Sequence, residues 1–380
     1  MADPLADPAV QQLFAVLPGA RLVGGCVRDR VAGLGSADID LASPLPPGDA
    51  AAALRAAGVR VIPTGLAHGT VTALIDGRPF EVTTLRRDLV TDGRHAEVAW
   101  TDDWREDAAR RDFTINAMSL SQDGVLHDYF GGEADLREHR VRFVGNARTR
   151  VAEDTLRILR FFRFYARYGA TPPDADAVAA IQEGLGGLAR LSAERVWSEL
   201  KRILQVPNPM AALHLMQQTG VLGATVPEVA SLHDVAHLPV DPVLRLAALM
   251  AVRGDSFSVR LKLSTAEAVY LDALQTAPDP RGNDDDLRRL LADHALPVLT
   301  GRTWLGRDPP AAAEAMRQRL RTIPTPAFPL EGRDVLALGQ PPGPAVGALL
   351  RGVRTWWLDH GCTATADECR AELTRLVAPP

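Results

Sequence analysis

The sequence predicts an α+β protein whose small mixed sheet is confined to the N-terminal part of the chain. Short β-type runs alternate with helical stretches up to about residue 145, as in RLVGG, DIDLAS, TVTALI and PFEVTTL. From about residue 150 the apolar periodicity becomes helical and stays so. A chain of 380 residues is long for one compact domain, so two or three domains are expected.

Composition and charge narrow the classes of protein. No apolar run is long enough for a membrane helix, and the N-terminal residues lack the regions of a signal peptide. Three widely spaced cysteines (Cys26, Cys362 and Cys369) predict neither a disulfide framework nor a zinc site, and they favour a cytoplasmic location. The net charge is −5, yet residues 137–167 contain nine arginines and three acids, which indicates a phosphate-rich ligand for this segment.

Two glycines separate a short predicted strand, residues 21–23, from a predicted helix at 27–32. Gly24 and Gly25 lack a Cβ and therefore permit unusual backbone angles and close approach. Backbone N–H groups at such a turn, beside a helix N-terminus, can bind phosphate, and Arg28 can add a charged hydrogen bond. A plain turn is the alternative, because the pattern is neither a P-loop nor a dinucleotide-binding fingerprint.

Asp38 and Asp40 follow this turn in the sequence Asp-Ile-Asp. Alternate residues of a strand point to the same face, so the two carboxylates are expected to converge while Ile39 faces the core. Two carboxylates forced together repel unless a cation neutralises them, and such oxygen ligands suit Mg²⁺ bound jointly with substrate phosphates. An exposed strand edge with two solvated acids is the alternative for an isolated Asp-x-Asp.

The glycine turn, Arg28 and the Asp-Ile-Asp pattern together resemble the signature of the nucleotidyltransferase superfamily, specifically of class II CCA-adding enzymes and bacterial poly(A) polymerases. The resemblance implies nucleotidyl transfer with two Mg²⁺ ions held by Asp38 and Asp40. One ion would lower the pKa of an RNA 3′-hydroxyl, and the other would steady the departing pyrophosphate. Glu81, in a predicted strand, is a candidate third acid, and an exposed strand residue is an equal alternative.

Residues 108–120, AARRDFTINAMSL, resemble the second signature of the family, RRDFTxNA. The resemblance implies that Arg111 supplies a fixed cation to the triphosphate or ribose. It also implies that Asp112 accepts hydrogen bonds from sugar hydroxyls and that Asn116 hydrogen-bonds locally in the nucleotide site.

A polar segment, residues 84–104, lies between the two signatures and has Gly93 and Arg94 at its predicted tip. In the family this region is a mobile loop needed for the final adenosine, and enzymes that add only cytidines have a shortened one. The segment is not obviously shortened here, which favours complete CCA addition. Residues 127–136, HDYFGGEADL, are similar to a family turn that closes the catalytic domain, and we assign them a structural role.

Residues 153–169 predict an amphipathic helix on which Asp154, Arg157, Arg160 and Arg163 recur every three residues. A solvated basic face is the plain interpretation. Cytosine and adenine, however, present an amino donor beside a ring-nitrogen acceptor, whereas guanine and uracil present the opposite polarity. One carboxylate and one guanidinium, as in Asp154 and Arg157, would therefore accept C and A and mispair with G and U, at a cost of about 1–3 kcal/mol for each mispaired group.

The same segment matches the family signature EDxxRxxR from Glu153 to Arg160. The resemblance implies the base-reading role for Asp154 and Arg157, and it implies that Arg160 and Arg163 hold base or phosphate.

Residues 192–204 resemble a further family motif, ERxxxEL. Glu194, Arg195 and Glu199, together with Glu153, are predicted to support the base-reading helix without taking part in the chemistry.

The resemblance implies a nucleotidyltransferase head at residues 1–145, a helical base-recognition neck at 146–206, and a helical body and tail at 207–380 that bind the tRNA acceptor arm through phosphate and shape contacts. The predicted function is template-independent addition or repair of the 3′-CCA of tRNA from CTP and ATP. Poly(A) polymerase is the nearest alternative, followed by an enzyme that adds only CC or only A. A non-catalytic RNA-binding protein and a small-molecule nucleotidyltransferase are disfavoured by the intact carboxylates and by the base-reading helix, respectively. The oligomeric state is not predicted.

Overall fold

The computed structural model of the chain describes residues 3–35, 38–65, 69–91, 96–229, 232–250 and 255–378. The chain forms two compact units, an N-terminal unit of residues 1–236 and a C-terminal unit of residues 237–380. The strands of the described residues all lie in the N-terminal unit, and the α+β prediction is confirmed. The division into head, neck, body and tail at residues 145 and 206 stays a prediction.

The strands of the described residues are short. They are β1 (Arg21–Val23), β2 (Asp40–Ser43), β3 (Arg60–Gly65), β4 (Thr70–Ile75), β5 (Arg78–Thr84), β6 (Arg86–Thr91), β7 (Ala96–Trp100), β8 (Ser119–Leu120) and β9 (Leu126–His127). A mixed sheet has the order β3-β4-β5-β2-β1-β8-β9, while β6 and β7 pair separately as an antiparallel ladder. Within the mixed sheet, β2 and β5 run parallel and the other pairs run antiparallel.

Helices surround this sheet and continue beyond it in the N-terminal unit. They are α1 (Pro8–Val16), α2 (Gly25–Val31), α3 (Pro47–Ala56), α4 (Trp104–Ala109), α5 (Gly132–Arg137), α6 (Ala147–Glu153), α7 (Leu156–Tyr168), α8 (Ala175–Gly184), α9 (Ala193–Leu204), α10 (Met210–Gln218) and α11 (Val221–Thr225). Short 3₁₀ helices occur at Pro4–Ala6, Thr114–Asn116 and Leu185–Arg190.

The C-terminal unit is helical throughout its described residues. Its helices are α12 (Pro242–Leu249), α13 (Asp255–Arg260), α14 (Thr265–Thr276), α15 (Asp284–Asp293), α16 (Leu296–Leu305), α17 (Pro310–Thr322), α18 (Gly332–Leu336), α19 (Pro344–Asp359) and α20 (Ala366–Val377). Ser264, Asn283 and Thr365 begin α14, α15 and α20 with reciprocal capping boxes, and Trp357 is buried in the local core. No helix among the described residues is long and apolar enough to cross a lipid bilayer.

Two sequence-based boundaries are wrong. Strand β2 begins at Asp40, so Asp38 and Ile39 precede it rather than forming part of it. The predicted helix over residues 153–169 is two helices, because Asp154 leaves the helical conformation with φ −148° and ψ 106°. The Asp154 carboxylate then accepts a hydrogen bond from the Leu156 N–H at 3.0 Å, and its carbonyl accepts one from the Arg157 N–H at 2.9 Å, so Asp154 caps the start of α7.

Helix α7 forms the centre of the N-terminal unit. Eight of its 13 residues are buried, and it packs against α9 and α10 on one side and the head on the other. Phe113 lies with its ring centroid 4.9 Å from that of Phe143 and 5.2 Å from that of Phe164, which joins the RRDFTxNA segment to the helix. Burial of these large apolar side chains holds head and neck together.

The segment HDYFGG is organised by one carboxylate. Asp128 accepts hydrogen bonds from the N–H groups of Phe130, Gly131 and Gly132 through Oδ1 at 2.9–3.2 Å, and from Glu133 through Oδ2 at 2.9 Å. The turn leads into α5, which packs against the 3₁₀ helix at Thr114–Asn116. This packing gives the segment the structural role predicted for it.

We predict that Gly132→Ala destabilises the protein. A Cβ at this position would lie 2.2 Å from the carbonyl oxygen of Thr114, so either α5 or the RRDFTxNA backbone must move. We expect a loss of about 1–3 kcal/mol in the free energy of unfolding, measured by guanidinium denaturation. Gly48→Ala in α3 is the matched control, since a Cβ there meets nothing within 4 Å, and it should be neutral or slightly stabilising. Equal effects of the two substitutions would contradict the prediction.

Candidate active site

Three carboxylates meet at one end of the mixed sheet. Asp40 opens β2 and is paired in parallel register with Glu81 of β5, so the two side chains project from the same side of the sheet. Asp38, just before β2, is exposed and lies close enough for its charge to act on Asp40. Only Asp40 belongs to the strand, so the alternation of strand residues does not apply to Asp38, and the convergence of the two carboxylates stays a prediction.

The carboxylate of Asp40 is held in an unfavourable electrostatic position. Burial raises its pKa above the ordinary value, and the charges of Glu81 and Asp38 raise it further. The nearby Arg111 guanidinium acts in the opposite direction and lowers the pKa, but the net direction is upward. This cluster is therefore a surplus of negative charge that a cation would stabilise.

The glycine turn lies beside this cluster. Gly24 has φ 71° and ψ −129°, and a positive φ of this kind favours glycine. Helix α2 begins at the next residue. A Cβ on Gly24 would lie 3.5 Å from Nη1 of Arg111, and one on Gly25 would lie 3.6 Å from Nη2 of Arg28. The turn therefore brings a bare backbone and the cation of Arg111 to the carboxylate end of the sheet.

Arg111 is oriented by a residue that the sequence analysis missed. Its Nη2 lies 3.2 Å from Oδ2 of the buried Asp107, and its Nη1 lies 3.4 Å from the carbonyl of Asn116. Burial alone would raise the pKa of Asp107, but the charges of Arg110 and Arg111 lower it below its ordinary value. The spacing of four residues between Asp107 and Arg111 was the available signal, since such pairs lie close on a helix, although α4 ends at Ala109 and Arg111 lies just beyond it.

Arg28 is placed differently from the phosphate-contacting role proposed for it. Its side chain is buried, with Nε 2.9 Å from Oδ1 of Asp29 and Nη1 2.7 Å from Oδ1 of Asn116. The guanidinium lies over the ring of Tyr168 at 4.7 Å and that of Phe164 at 5.1 Å. Arg28 would have to give up some of these interactions in order to contact a phosphate directly.

Asp112 and Asn116 form a buried pair. Asn116 donates from Nδ2 to Oδ1 of Asp112 at 3.0 Å, while Arg160 donates from Nε to Oδ2 at 2.6 Å. Burial would raise the pKa of Asp112, but the Arg160 charge and the hydrogen bonds from Asn116 and Arg160 lower it below its ordinary value. The local hydrogen bonding predicted for Asn116 is present, and Asp112 is already saturated by protein donors.

The side chains of Asp154 and Arg157 pair with other residues rather than with each other, although the two residues lie close in the chain. Asp154 accepts from Nη2 of Arg195 at 2.9 Å, and Arg157 donates from Nη1 to Oε2 of Glu153 at 2.5 Å. Arg157 also donates to the carbonyl of Arg150 at 3.1 Å. The two residues predicted to read the base are thus each oriented by a different residue of the predicted supporting set.

The remaining predicted residues divide between the interior and the surface. Arg163 is paired with the buried Glu199 at 3.1 Å, and burial lowers the pKa of Arg163 to about 10 even though Glu199 acts to raise it. Glu194 is exposed in the first turn of α9. Gly93 and Arg94 lie outside the described residues.

The arginine-rich segment 137–167 is not a free basic surface. Each of its nine arginines has a carboxylate within 4.0 Å. Most of these acids lie outside the segment, which is why a count within residues 137–167 gave a surplus. The acids are Asp29, Asp112, Glu133, Asp135, Glu138, Glu153, Glu183 and Glu199.

Two further residues of this region, Asp29 and Tyr168, were also missed by the sequence analysis. The Tyr168 hydroxyl donates to Oδ1 of Asp29 at 2.5 Å across 139 positions of sequence. No periodicity or motif connects residues so far apart, so no local signal could have found this contact.

Family models match two segments of the chain. The model described as the poly A polymerase head domain matches residues 20–142, and the model described as the probable RNA and SrmB-binding site of polymerase A matches residues 173–232. The first contains the carboxylate cluster and the RRDFTxNA segment, and the second begins after α7.

Curated relatives align with most of the chain. The mitochondrial CCA tRNA nucleotidyltransferase 1 of Mus musculus is 38% identical over 375 residues, which cover 92% of this chain and 85% of the relative. The CCA-adding enzyme of Geobacillus stearothermophilus is 31% identical over 370 residues, which cover 89% and 88% of the two chains. The crystal structure of the Bacillus stearothermophilus CCA-adding enzyme in complex with CTP superposes with a TM-score of 0.76 at 26% identity over 98% of both chains. The chain therefore belongs to the family of CCA-adding tRNA nucleotidyltransferases.

Proposed function

We propose that this protein adds or repairs the 3′-terminal CCA of tRNA from CTP and ATP, with release of pyrophosphate. The observation that carries the proposal is the placement, within one compact unit, of an acidic cluster at the end of the mixed sheet and a separately oriented carboxylate–guanidinium pair at the start of α7. The first suits nucleotidyl transfer, and the second suits recognition of a base without a nucleic-acid template. The names of the relatives from mouse and Geobacillus support the same function.

The acidic cluster fits divalent metal ions. Enzymes of the nucleotidyltransferase superfamily generally use divalent metals. Asp38 and Asp40 would hold two Mg²⁺ ions, with Glu81 adjacent, and the raised pKa of Asp40 shows that the donor set carries excess negative charge. No set of three or more metal-ligating side chains is assembled among the described residues, so bound Mg²⁺ would take its remaining ligands from water and substrate phosphates. Bound metal would activate the RNA 3′-hydroxyl and stabilise the pyrophosphate leaving group.

The glycine turn and Arg111 would bind the triphosphate. The backbone at Gly25 opens α2, and Arg111 is held by Asp107 beside both Gly24 and Asp40. A guanidinium fixed in this way loses little conformational entropy on binding phosphate oxygens. Asp112 and Asn116 would complete the ribose side of the site, where Asp112 would exchange one of its protein donors for a sugar hydroxyl.

Asp154 and Arg157 would select the base, and Arg160 and Arg163 would hold the base or phosphate. Each carboxylate oxygen of Asp154 has two lone pairs, so it can accept from an amino group of cytosine or adenine in addition to Arg195 and the Leu156 N–H. Glu153 and Arg195 orient the pair, as the predicted supporting role requires.

The segments outside the site complete the proposal. Residues 1–145 would form the catalytic head, 146–206 the base-recognition neck, and 207–380 the body and tail that bind the tRNA acceptor arm. A cytoplasmic location rests on the cysteine pattern alone, and the relatives include proteins named as mitochondrial.

The decisive experiment is single-nucleotide extension of tRNA transcripts that end before CCA, after C and after CC, with each nucleotide supplied separately and Mg²⁺ present. Two additions of C, then one of A and a stop, are expected. Long A tails on any RNA would indicate a poly(A) polymerase, and additions that stop after CC or require preformed CC would indicate a partial enzyme. No incorporation by folded protein would overturn the proposal.

We predict that Asp40→Asn stabilises the metal-free protein at pH 7 while abolishing activity. The folded-state pKa of Asp40 is raised, so its ionised form opposes folding once the pH rises above the ordinary carboxyl value near 4. The gain in thermal midpoint should therefore be present at neutral pH and disappear as the pH falls towards about 4. Nucleotide incorporation should fall about a thousandfold, since the transition-state charges lose their metal ligand.

Asp49→Asn is the control for this substitution. Asp49 is an exposed acid in the first turn of α3, where a negative charge is favourable, so its loss should lower the midpoint slightly. Millimolar Mg²⁺ should raise the midpoint of the wild type and have less effect on Asp40→Asn. A destabilised Asp40→Asn protein would contradict the electrostatic account.

We predict that Asp154→Asn relaxes base selection. The amide still caps α7 but presents an N–H donor that can face the carbonyl of uracil, so discrimination between CTP and UTP should fall by about tenfold or more. Asp174→Asn is the matched control, because Asp174 caps α8 by accepting from the Ala177 N–H at 2.9 Å. Competition assays with labelled CTP and UTP measure the ratio. Unchanged discrimination in a folded Asp154→Asn protein would remove Asp154 from base recognition.

A further inference from the structure

A buried hydroxyl ties the last turn of α7 to the catalytic head. Tyr168 is 6% exposed, and its hydroxyl donates to Oδ1 of Asp29 in α2 at 2.5 Å. Burial raises the pKa of Tyr168 to about 12, with an opposing effect from the Arg28 charge and a further rise from the hydrogen bond to Asp29. The phenol therefore keeps its proton and remains a donor throughout the neutral range.

The same helix is tied to the head a second time, through Arg160. Its guanidinium donates to Asp112 at 2.6 Å, and Asp112 accepts in turn from Asn116. Asn116 accepts from Arg28, which also donates to Asp29. A continuous hydrogen-bonded chain therefore leaves α7 at Arg160, crosses the head, and returns to α7 through Asp29.

The two attachment points lie eight residues apart, which is about 12 Å along a helix axis. Helix α7 is already held against the head by apolar packing, including that of Phe113 against Phe164. Apolar packing is non-directional, whereas two hydrogen-bonded contacts separated by about two turns also define the orientation of the helix. We infer that Tyr168 is a positioning residue that fixes the orientation of α7 relative to the catalytic head and thereby contributes to nucleotide selection. The inference rests on the proposed function.

The buried charges in this hydrogen-bonded series are better explained by a role in orienting α7 than by a role in stabilising the fold. Removing the charges of Arg28 and Asp29 from water has a large desolvation cost, and apolar residues of similar size often stabilise a core at least as well as a buried ion pair. The flat guanidinium of Arg28, held by Asp29 and against Tyr168, allows one arrangement of its partners. A fully satisfied polar network of this kind specifies a unique geometry.

The geometry that it specifies links the two parts of the active site. Helix α2 starts at the glycine turn beside the carboxylate cluster, and α7 starts directly after Asp154. In the proposed function, the head binds the triphosphate of the nucleotide and the neck reads its base. The nucleotide must then span a distance that is set by these two helices. Small misplacements of reacting or recognising groups can cost a hundredfold in rate.

Tyr168→Phe tests the inference by removing one hydroxyl. Tyr165→Phe is the matched control, since Tyr165 lies on the same helix, is equally buried, and has its hydroxyl 3.4 Å from Thr171 rather than against the head. Both variants are assayed by single-nucleotide extension with CTP and with UTP, and their folding is followed by thermal unfolding. For Tyr168→Phe we expect KM for CTP to rise and the ratio of kcat/KM for CTP over UTP to fall by about tenfold, with kcat changed less than KM. Tyr165→Phe should retain wild-type values.

Asp29→Asn provides a second variant, because it keeps an oxygen acceptor for the Tyr168 hydroxyl but removes the charge that pairs with Arg28. A loss of CTP selectivity in Asp29→Asn at least as large as that in Tyr168→Phe supports the inference. Unchanged KM and selectivity in Tyr168→Phe would overturn it, as would equal losses in Tyr168→Phe and Tyr165→Phe, which indicate general packing. Either result would leave CCA addition by the wild type intact, whereas a wild type without activity would refute the proposed function itself.

Discussion

The burial of an arginine-rich helix is the constraint on which the N-terminal unit depends. Helix α7 carries four arginines, yet its aromatic and aliphatic residues place it between the head and the helices that follow. Arg157, Arg160 and Arg163 are partly withdrawn from water, and such charges must be paired and hydrogen-bonded. Their partners come from three separate elements: Glu153 of α6, Asp112 ahead of the 3₁₀ helix and Glu199 of α9. The exposed Arg167 adds a contact with Asp29 of α2. Satisfying the charges of one helix therefore fixes the positions of its neighbours.

The site follows from a contrast between compensated and uncompensated charge. Around α7 the cations and anions balance, and the shared carboxylate of Asp112 has a lowered pKa. At the end of the mixed sheet, Asp40 and Glu81 lie in register with Asp38 beside them, and the pKa of Asp40 is raised despite Arg111. The arginines of α7 have carboxylate partners, whereas at this cluster an added cation would lower the energy. Residues tuned for binding at the expense of stability are typical of active sites.

Sequence patterns predicted what depends on neighbouring residues. The strands β1, β4 and β5 and the glycine turn all follow from local periodicity or short motifs. The long-range acid partners of the arginines did not follow, because pairing across the fold has no sequence spacing. Arg28 shows the consequence, since its motif indicates phosphate while its guanidinium is committed to Asp29 and Asn116. Local reasoning finds the groups that carry the chemistry, and only the fold shows which of them are already used.

The break between α6 and α7 explains why the side chains of Asp154 and Arg157, the residues proposed to read the base, pair with other residues rather than with each other. On one continuous helix, residues three apart face each other, and an acid and an arginine at that spacing tend to pair and neutralise each other. The extended conformation of Asp154 interrupts the helix, and its carboxylate turns to cap α7 and to meet Arg195. Arg157 then takes Glu153 from the preceding helix. The irregular residue thus separates donor from acceptor, which is the arrangement that the proposed base recognition requires.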